Sequence, residues 1–112
     1  MRIIGAFVVA LCVVAWAGAA ATDQLQDDPA ETFAGKCAMC HGKGGAGDGA
    51  AAAALNPKPT DFTSAEYQES RTDEQIAEAI RAGQGAMPSY SKQLSKEAID
   101  RLVAYIRALG DR

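Results

Sequence analysis

The chain has 112 residues, a formal net charge of -3, three cysteines and one histidine. That length allows one small domain with a limited core. An acidic balance gives a nucleic-acid partner no electrostatic support.

Met1-Arg2 is followed by an apolar run from Ile3 to Ala21 that ends in the small residues Gly18-Ala19-Ala20-Ala21. One positive charge, an apolar stretch and small residues are the layout of an export leader, with cleavage expected after Ala20 or Ala21. The competing reading is an uncleaved membrane anchor, because the run just reaches spanning length. Cys12 lies inside it, too early and behind Leu11 rather than a small residue, so it reads as a bystander rather than a lipidation site. The expected division is thus a leader over 1–21 and one domain over 22–112. Only Cys37 and Cys40 then remain in the domain, which is slightly more acidic without Arg2.

Thr22 to Asp28 is polar and reads as a lead-in. Asp28-Pro29-Ala30-Glu31 then predicts a helix start: Asp28 as cap, Pro29 in the first helical position, and Glu31 able to reach back. This helix is predicted to run to about Ala38, with Phe33 and Cys37 on one face.

At its end stands Cys37-Ala38-Met39-Cys40-His41, the C-x-x-C-H pattern of c-type haem attachment. Two residues between the cysteines let both sulfurs reach neighbouring vinyl groups, and the following histidine is swung under the metal. A thioredoxin-like C-x-x-C would need a βαβ setting, which the helical and Gly/Ala-rich flanks do not provide. A structural zinc site would need a further ligand pair, and none follows. A covalently held haem would also supply apolar mass to a chain too short for a large core.

Gly42 to Gly49 is glycine-dense and Ala50 to Ala54 is all alanine. Gly42, Gly44 and Gly47 fit G-x-G-x-x-G, but that fingerprint needs a preceding strand, so a compact loop is the plainer reading. Asn56-Pro57-Lys58-Pro59 is predicted to be extended and stiff. Thr63-Ser64-Ala65-Glu66 has capping-box spacing and predicts one or two helical turns through Tyr67 and Gln68. Thr72-Asp73-Glu74-Gln75 repeats that signature ahead of Ile76, Ala79 and Ile80, with Gly83 as the stop. The charges on this helix, Glu74, Glu78 and Arg81, need no role beyond solvation. Gly83 to Pro88 is a loop whose glycines would let backbone approach a flat ligand. Ser95 caps the last helix, Leu94 and Ile99 form a staple, and Ile99, Leu102, Val103, Ile106 and Leu109 follow helical spacing to Gly110. No period-two segment is present, so the predicted fold class is all-α.

A haem iron held by His41 has a second axial position, and its occupant decides the chemistry. Met39 is confined between the two cysteines on the His41 side, and Met1 leaves with the leader. Met87 is therefore the expected second ligand; the alternatives are that it fills the core and the iron stays five-coordinate or takes a lysine.

Phe33, Cys37-x-x-Cys40-His41, the proline segment, Met87-Pro88 and Leu102-Val103-Ala104-Tyr105-Ile106 together make the chain resemble a bacterial class I cytochrome c. The resemblance spans the whole exported chain. It implies three to five helices around one haem c, with the first and last crossing at right angles and Phe33 meeting the Leu102/Tyr105 face. It also implies that a proline carbonyl, from Pro57 or Pro59, accepts a hydrogen bond from the far nitrogen of His41. The Gly/Ala-rich loop departs from the mitochondrial pattern toward small proteobacterial carriers and cytochrome domains attached to dehydrogenases or oxidases.

The expected function is that of a non-enzymatic periplasmic electron carrier, a monomer that meets redox partner proteins and neither a membrane nor nucleic acid. Lys36, Lys43, Lys58 and Lys92 are candidates for a basic rim at the haem edge, against the plain reading of scattered solubilising lysines. Two other functions compete: a gas-binding or peroxidatic haem protein with a labile sixth ligand, and a subunit of a larger redox complex.

Overall fold

The computed structural model describes residues 5, 10–13 and 28–112. The leader expected over 1–21, apart from residues 5 and 10–13, and the lead-in up to residue 27 lie outside the described residues. Among the described residues five α-helices follow in chain order: α1 Pro29–Lys36, α2 Ala38–His41, α3 Ala65–Ser70, α4 Asp73–Ala82 and α5 Lys96–Leu109, with one 3-10 turn at Ala52–Ala54. Among the described residues no strand forms; one isolated bridge pairs Gln84 with Met87. No helix among them is long and apolar enough to cross a membrane.

Caps explain where the helices begin. Asp28 accepts a hydrogen bond from the Ala30 amide at 3.0 Å, with Pro29 in the first helical position. Thr72 and Gln75 form a full capping box, exchanging bonds of 2.9 and 3.2 Å, and Ser95 accepts from Ala98 at 3.1 Å. For α3 the cap is Ser64, which accepts from Tyr67 at 3.3 Å, rather than the expected Thr63. The hydroxyl and amide of Thr63 both donate to Asp61, at 2.5 and 2.9 Å, so Thr63 closes a turn instead.

The first of these helices ends two residues earlier than expected. Cys37 breaks it at φ -115°, and α2 is a separate turn whose His41 amide donates back to the Cys37 carbonyl at 2.9 Å. The glycine loop then returns onto α2. The amides of Gly47, Gly49 and Ala51 donate to the carbonyls of His41, Cys40 and Met39 at 2.8, 3.0 and 2.9 Å. These are carbonyls that a helix end leaves without partners. A side chain at Gly49 would place its Cβ 2.3 Å from the Met39 oxygen, so only glycine permits this approach.

α1 packs on α5, and α5 also packs on α4. Phe33, buried to 1% exposure, meets Tyr105 with ring centroids 5.1 Å apart. Around it lie Phe62, Ile76, Ile80, Ile99, Leu102, Val103, Ile106 and Leu109. The helical spacing of the last helix thus delivers its apolar stripe to the core as predicted.

A polar knot fastens the far end of the bundle. The Gln68 amide nitrogen donates to the carbonyls of Phe62 and Ile106 at 2.8 and 3.0 Å. Arg107 donates to the Gln68 backbone and side-chain oxygens, to the Arg71 carbonyl and to Asp73. Phe62, the C-terminal end of α3 and the N-terminal end of α4 are thereby tied to the last turns of α5.

Candidate haem site

Two hollows of about 530 and 420 Å³ share His41, Thr60, Gln84 and Met87 in their linings, so they are two parts of one cleft. Each lies within the size range of pockets that hold a small molecule or cofactor. Cys37, Cys40, Pro57 and Pro59 border the smaller part, while Phe62, Tyr67, Ile76, Ile80 and Ile106 give the larger part an apolar wall. Residues distant in sequence, Cys37 to His41 and Met87, are thus brought to one cavity.

α2 supplies Cys40 and His41, and the break before it supplies Cys37. Burial pushes the Cys37 thiol up to about 11, against the lowering effect of Lys36, so at neutral pH it keeps its proton. Burial also lowers His41, and the bond to the Thr60 backbone only partly offsets that. The imidazole is therefore neutral at pH 7. Its Nδ1 lies 3.0 Å from the Thr60 carbonyl. A carbonyl only accepts, so Nδ1 carries the proton and Nε2 keeps a free lone pair. A neutral imidazole in that tautomer is the form that ligates a metal.

The acceptor is Thr60, not Pro57 or Pro59. Pro59 directs its carbonyl at Gly47, where an added Cβ would come within 2.7 Å of it. Carbonyls in extended backbone alternate direction, and the one that reaches His41 is the next. The Asn56–Pro57 peptide is cis.

Met87 sits in a tight turn after α4. Its amide donates to the Gln84 carbonyl at 3.0 Å and its carbonyl accepts from the Gln84 amide at 2.9 Å. Gly83 and Gly85, both at positive φ, make the turn possible. The Met87 side chain is half-buried and packs against the core. Met39, by contrast, is 64% exposed.

Sequence reasoning missed three residues here. Thr60 supplies the acceptor. Phe62 stacks on the His41 ring at 4.4 Å and 19°. Tyr90 donates its hydroxyl to the Lys36 carbonyl at 3.0 Å, closing the end of α1 beside Cys37. The D-F-T-S run marked Thr63 and Ser64 by type, but nothing in it marked Phe62 as a neighbour of His41.

A third hollow of about 620 Å³ lies between α4 and α5. Five of its lining charges are in pairs, Glu78 with Arg81, Lys96 with Asp100 and Asp73 with Arg107 of α5, and it holds neither cysteine nor histidine. Among the described residues no cluster of three or more His, Cys, Asp or Glu could hold a metal ion. The donor set that remains is one imidazole, two thiols and one thioether around an apolar cleft, and this set fits a haem.

Known proteins point the same way. Residues 24–106 match the family described as cytochrome c oxidase, cbb3-type, subunit III. The chain is 40% identical over 78 residues to cytochrome c6 of Bryopsis maxima, covering 69% of this chain and 83% of that one. Its fold is similar to that of KustC0563, a c-type cytochrome, with a TM-score of 0.65 and 28% identity over 73% of this chain and 96% of the other. A family match over most of the domain, an all-α fold with its first and last helices packed together, and a cleft ringed by haem-type donors agree: the chain belongs to the haem-binding c-type cytochromes of the cbb3 subunit III family, and its role is electron transfer.

Proposed function

We propose that the chain is an exported, freely diffusing one-electron carrier of the periplasm, with one haem c joined to Cys37 and Cys40 and ligated by His41 and Met87. The observation that carries this reading is the convergence of all four residues on one cleft. When bound, the haem supplies an iron couple that accepts and returns one electron.

The chain's own residues do the rest. Cys37 and Cys40 would each add sulfur and proton across a vinyl group, forming a carbon–sulfur and a carbon–hydrogen bond. His41 is held in its ligating tautomer by Thr60, and a second-shell bond of this kind raises ligand basicity. Met87 offers a soft thioether from a turn locked at both backbone ends, and a Met/His pair favours a high potential. Both ligands come from segments braced by backbone bonds, so little of the protein needs to move when the charge changes. Ile76, Ile80 and Ile106 offer an apolar wall to one face of the haem.

A carrier of this kind has no open iron position. The reduced wild-type protein is therefore expected not to bind carbon monoxide promptly at neutral pH. Prompt binding would favour a gas-binding or peroxidatic function and count against this reading.

Exchange is assigned to the margin near Cys37 and Cys40. Lys36 and Lys58 line that part of the cleft and no carboxylate does. Lys43 and Lys92 are exposed but are not among its lining residues, which narrows the basic rim to two. An acidic redox partner fits such a margin. Its reaction rate is expected to fall as salt rises, because the screening length shrinks from about 10 Å at 0.1 M to about 3 Å at 1 M. Lys36→Glu and Lys58→Glu should slow the reaction at low salt and flatten that dependence. A rate indifferent to both salt and charge reversal would remove the rim.

A further inference from the structure

We infer that Phe62 is a positioning residue for the iron ligand: stacked on His41, it fixes the rotational setting of the imidazole plane. The inference rests on the reading of His41 as the axial ligand. Thr60 and Phe62, two apart in sequence, act on the same ring from different directions. The Thr60 carbonyl takes the ring edge at Nδ1, 3.0 Å away. One hydrogen bond directs that nitrogen but leaves the ring free to turn about the axis of the bond. Phe62 removes that freedom by lying against the face, with centroids 4.4 Å apart and planes 19° from parallel. Two flat rings in near-parallel contact resist relative tilting because either would lose contact area.

Phe62 is itself held by its backbone and by two neighbouring rings. Its amide donates to Gly45 at 2.7 Å and its carbonyl accepts from Gln68 at 2.8 Å. Its ring meets the edge of Phe33 at 6.3 Å and lies 5.3 Å from Tyr67. It is 6% exposed, with its one open side on the cleft. Of the two stacked rings, His41 is the one whose freedom the contact limits.

The direction of a ligand's π-plane sets how the iron's d orbitals split, and this is read without reference to any partner. The test uses the full haem-loaded chain, with paramagnetic NMR of the haem methyl groups and low-temperature EPR of the oxidised protein. Phe62→Leu keeps an apolar side chain but removes the flat face; it is expected to change the order or spread of the methyl shifts and to move or broaden the g-values. Phe62→Tyr restores a flat ring and should return the wild-type pattern. Val103→Ala thins the core where it lines the hollow between α4 and α5 and not the cleft, so it should lower stability and leave the pattern unchanged. Should Phe62→Leu fail to accumulate, Phe62→Met carries the same test. An unchanged pattern in the Leu or Met variant, or the same change in Val103→Ala, overturns the assignment. Absence of hyperfine-shifted imidazole resonances from the wild type would instead overturn His41 ligation, and the positioning role with it.

Discussion

His41→Ala is expected to eliminate the six-coordinate low-spin spectrum and most of the accumulated folded protein. The chain has no other histidine to substitute. Three losses coincide in this variant. The bond to Thr60 disappears, which is worth about 1 kcal/mol net. The stack on Phe62 goes as well, worth about 0.5–1.5 kcal/mol beyond the buried area. Neither is decisive against the several kcal/mol that hold a small domain together. The loss that decides is that of the proposed axial bond, which would link α2 to a haem in the cleft. The check is the optical spectrum of purified exported protein in both oxidation states, followed by addition of free imidazole. Recovery of low-spin character with imidazole would show that the missing group is the ring itself. A normal low-spin spectrum without it would contradict the assignment.

Met87→Ala should have a different outcome, because the side chain is only half-buried. A fully buried methionine cut to alanine costs about 2–5 kcal/mol, and this position should cost less, so protein should still accumulate with haem attached. What changes is the iron's second side. The potential should drop by a sizeable part of the ~0.8 V range that axial ligation commands. The reduced variant should bind carbon monoxide promptly, in contrast to the wild type. Potentiometry and carbon monoxide mixing read the two effects separately. An unchanged potential together with an unchanged oxidised spectrum would reassign the sixth ligand, with lysine the next candidate.

Much of the architecture was legible because it depends on short-range signals. Thr72 with Gln75, and Ser95 ahead of an apolar stripe, state a helix start within four residues. Cys37, Cys40 and His41 state a haem motif within five. Errors arose where two local claims competed for one side chain. Thr63 had capping-box spacing, yet Asp61 two residues earlier took its hydroxyl, and the cap passed to Ser64. That Phe33 would meet Tyr105 was implied by the resemblance to class I cytochromes rather than by any local signal, and the two rings do pack together.

What stayed hidden depends on the direction of groups rather than their type. Whether Pro57, Pro59 or Thr60 offers its carbonyl to His41 is set by how the extended segment docks on the glycine loop, and residue identity does not encode that. The resemblance to class I cytochromes pointed to a proline; here the neighbour of Pro59 does the work. Gln68 and Arg107 share bonds across 39 positions in sequence, and a glutamine and an arginine on helix surfaces give no sign that they will meet. Phe62 was invisible for the same reason. Its contact with His41 exists only once the loop closed by Gly45 has folded.

The central claim is a six-coordinate haem held between the imidazole of His41 and the thioether of Met87. The optical spectrum of the wild-type protein, recorded oxidised and reduced, tests it most directly. Low-spin bands in both states, with a sulfur-to-iron charge-transfer band in the oxidised protein that Met87→Ala abolishes, are the predicted result. A high-spin spectrum, or an oxidised spectrum lacking the sulfur band, would contradict it.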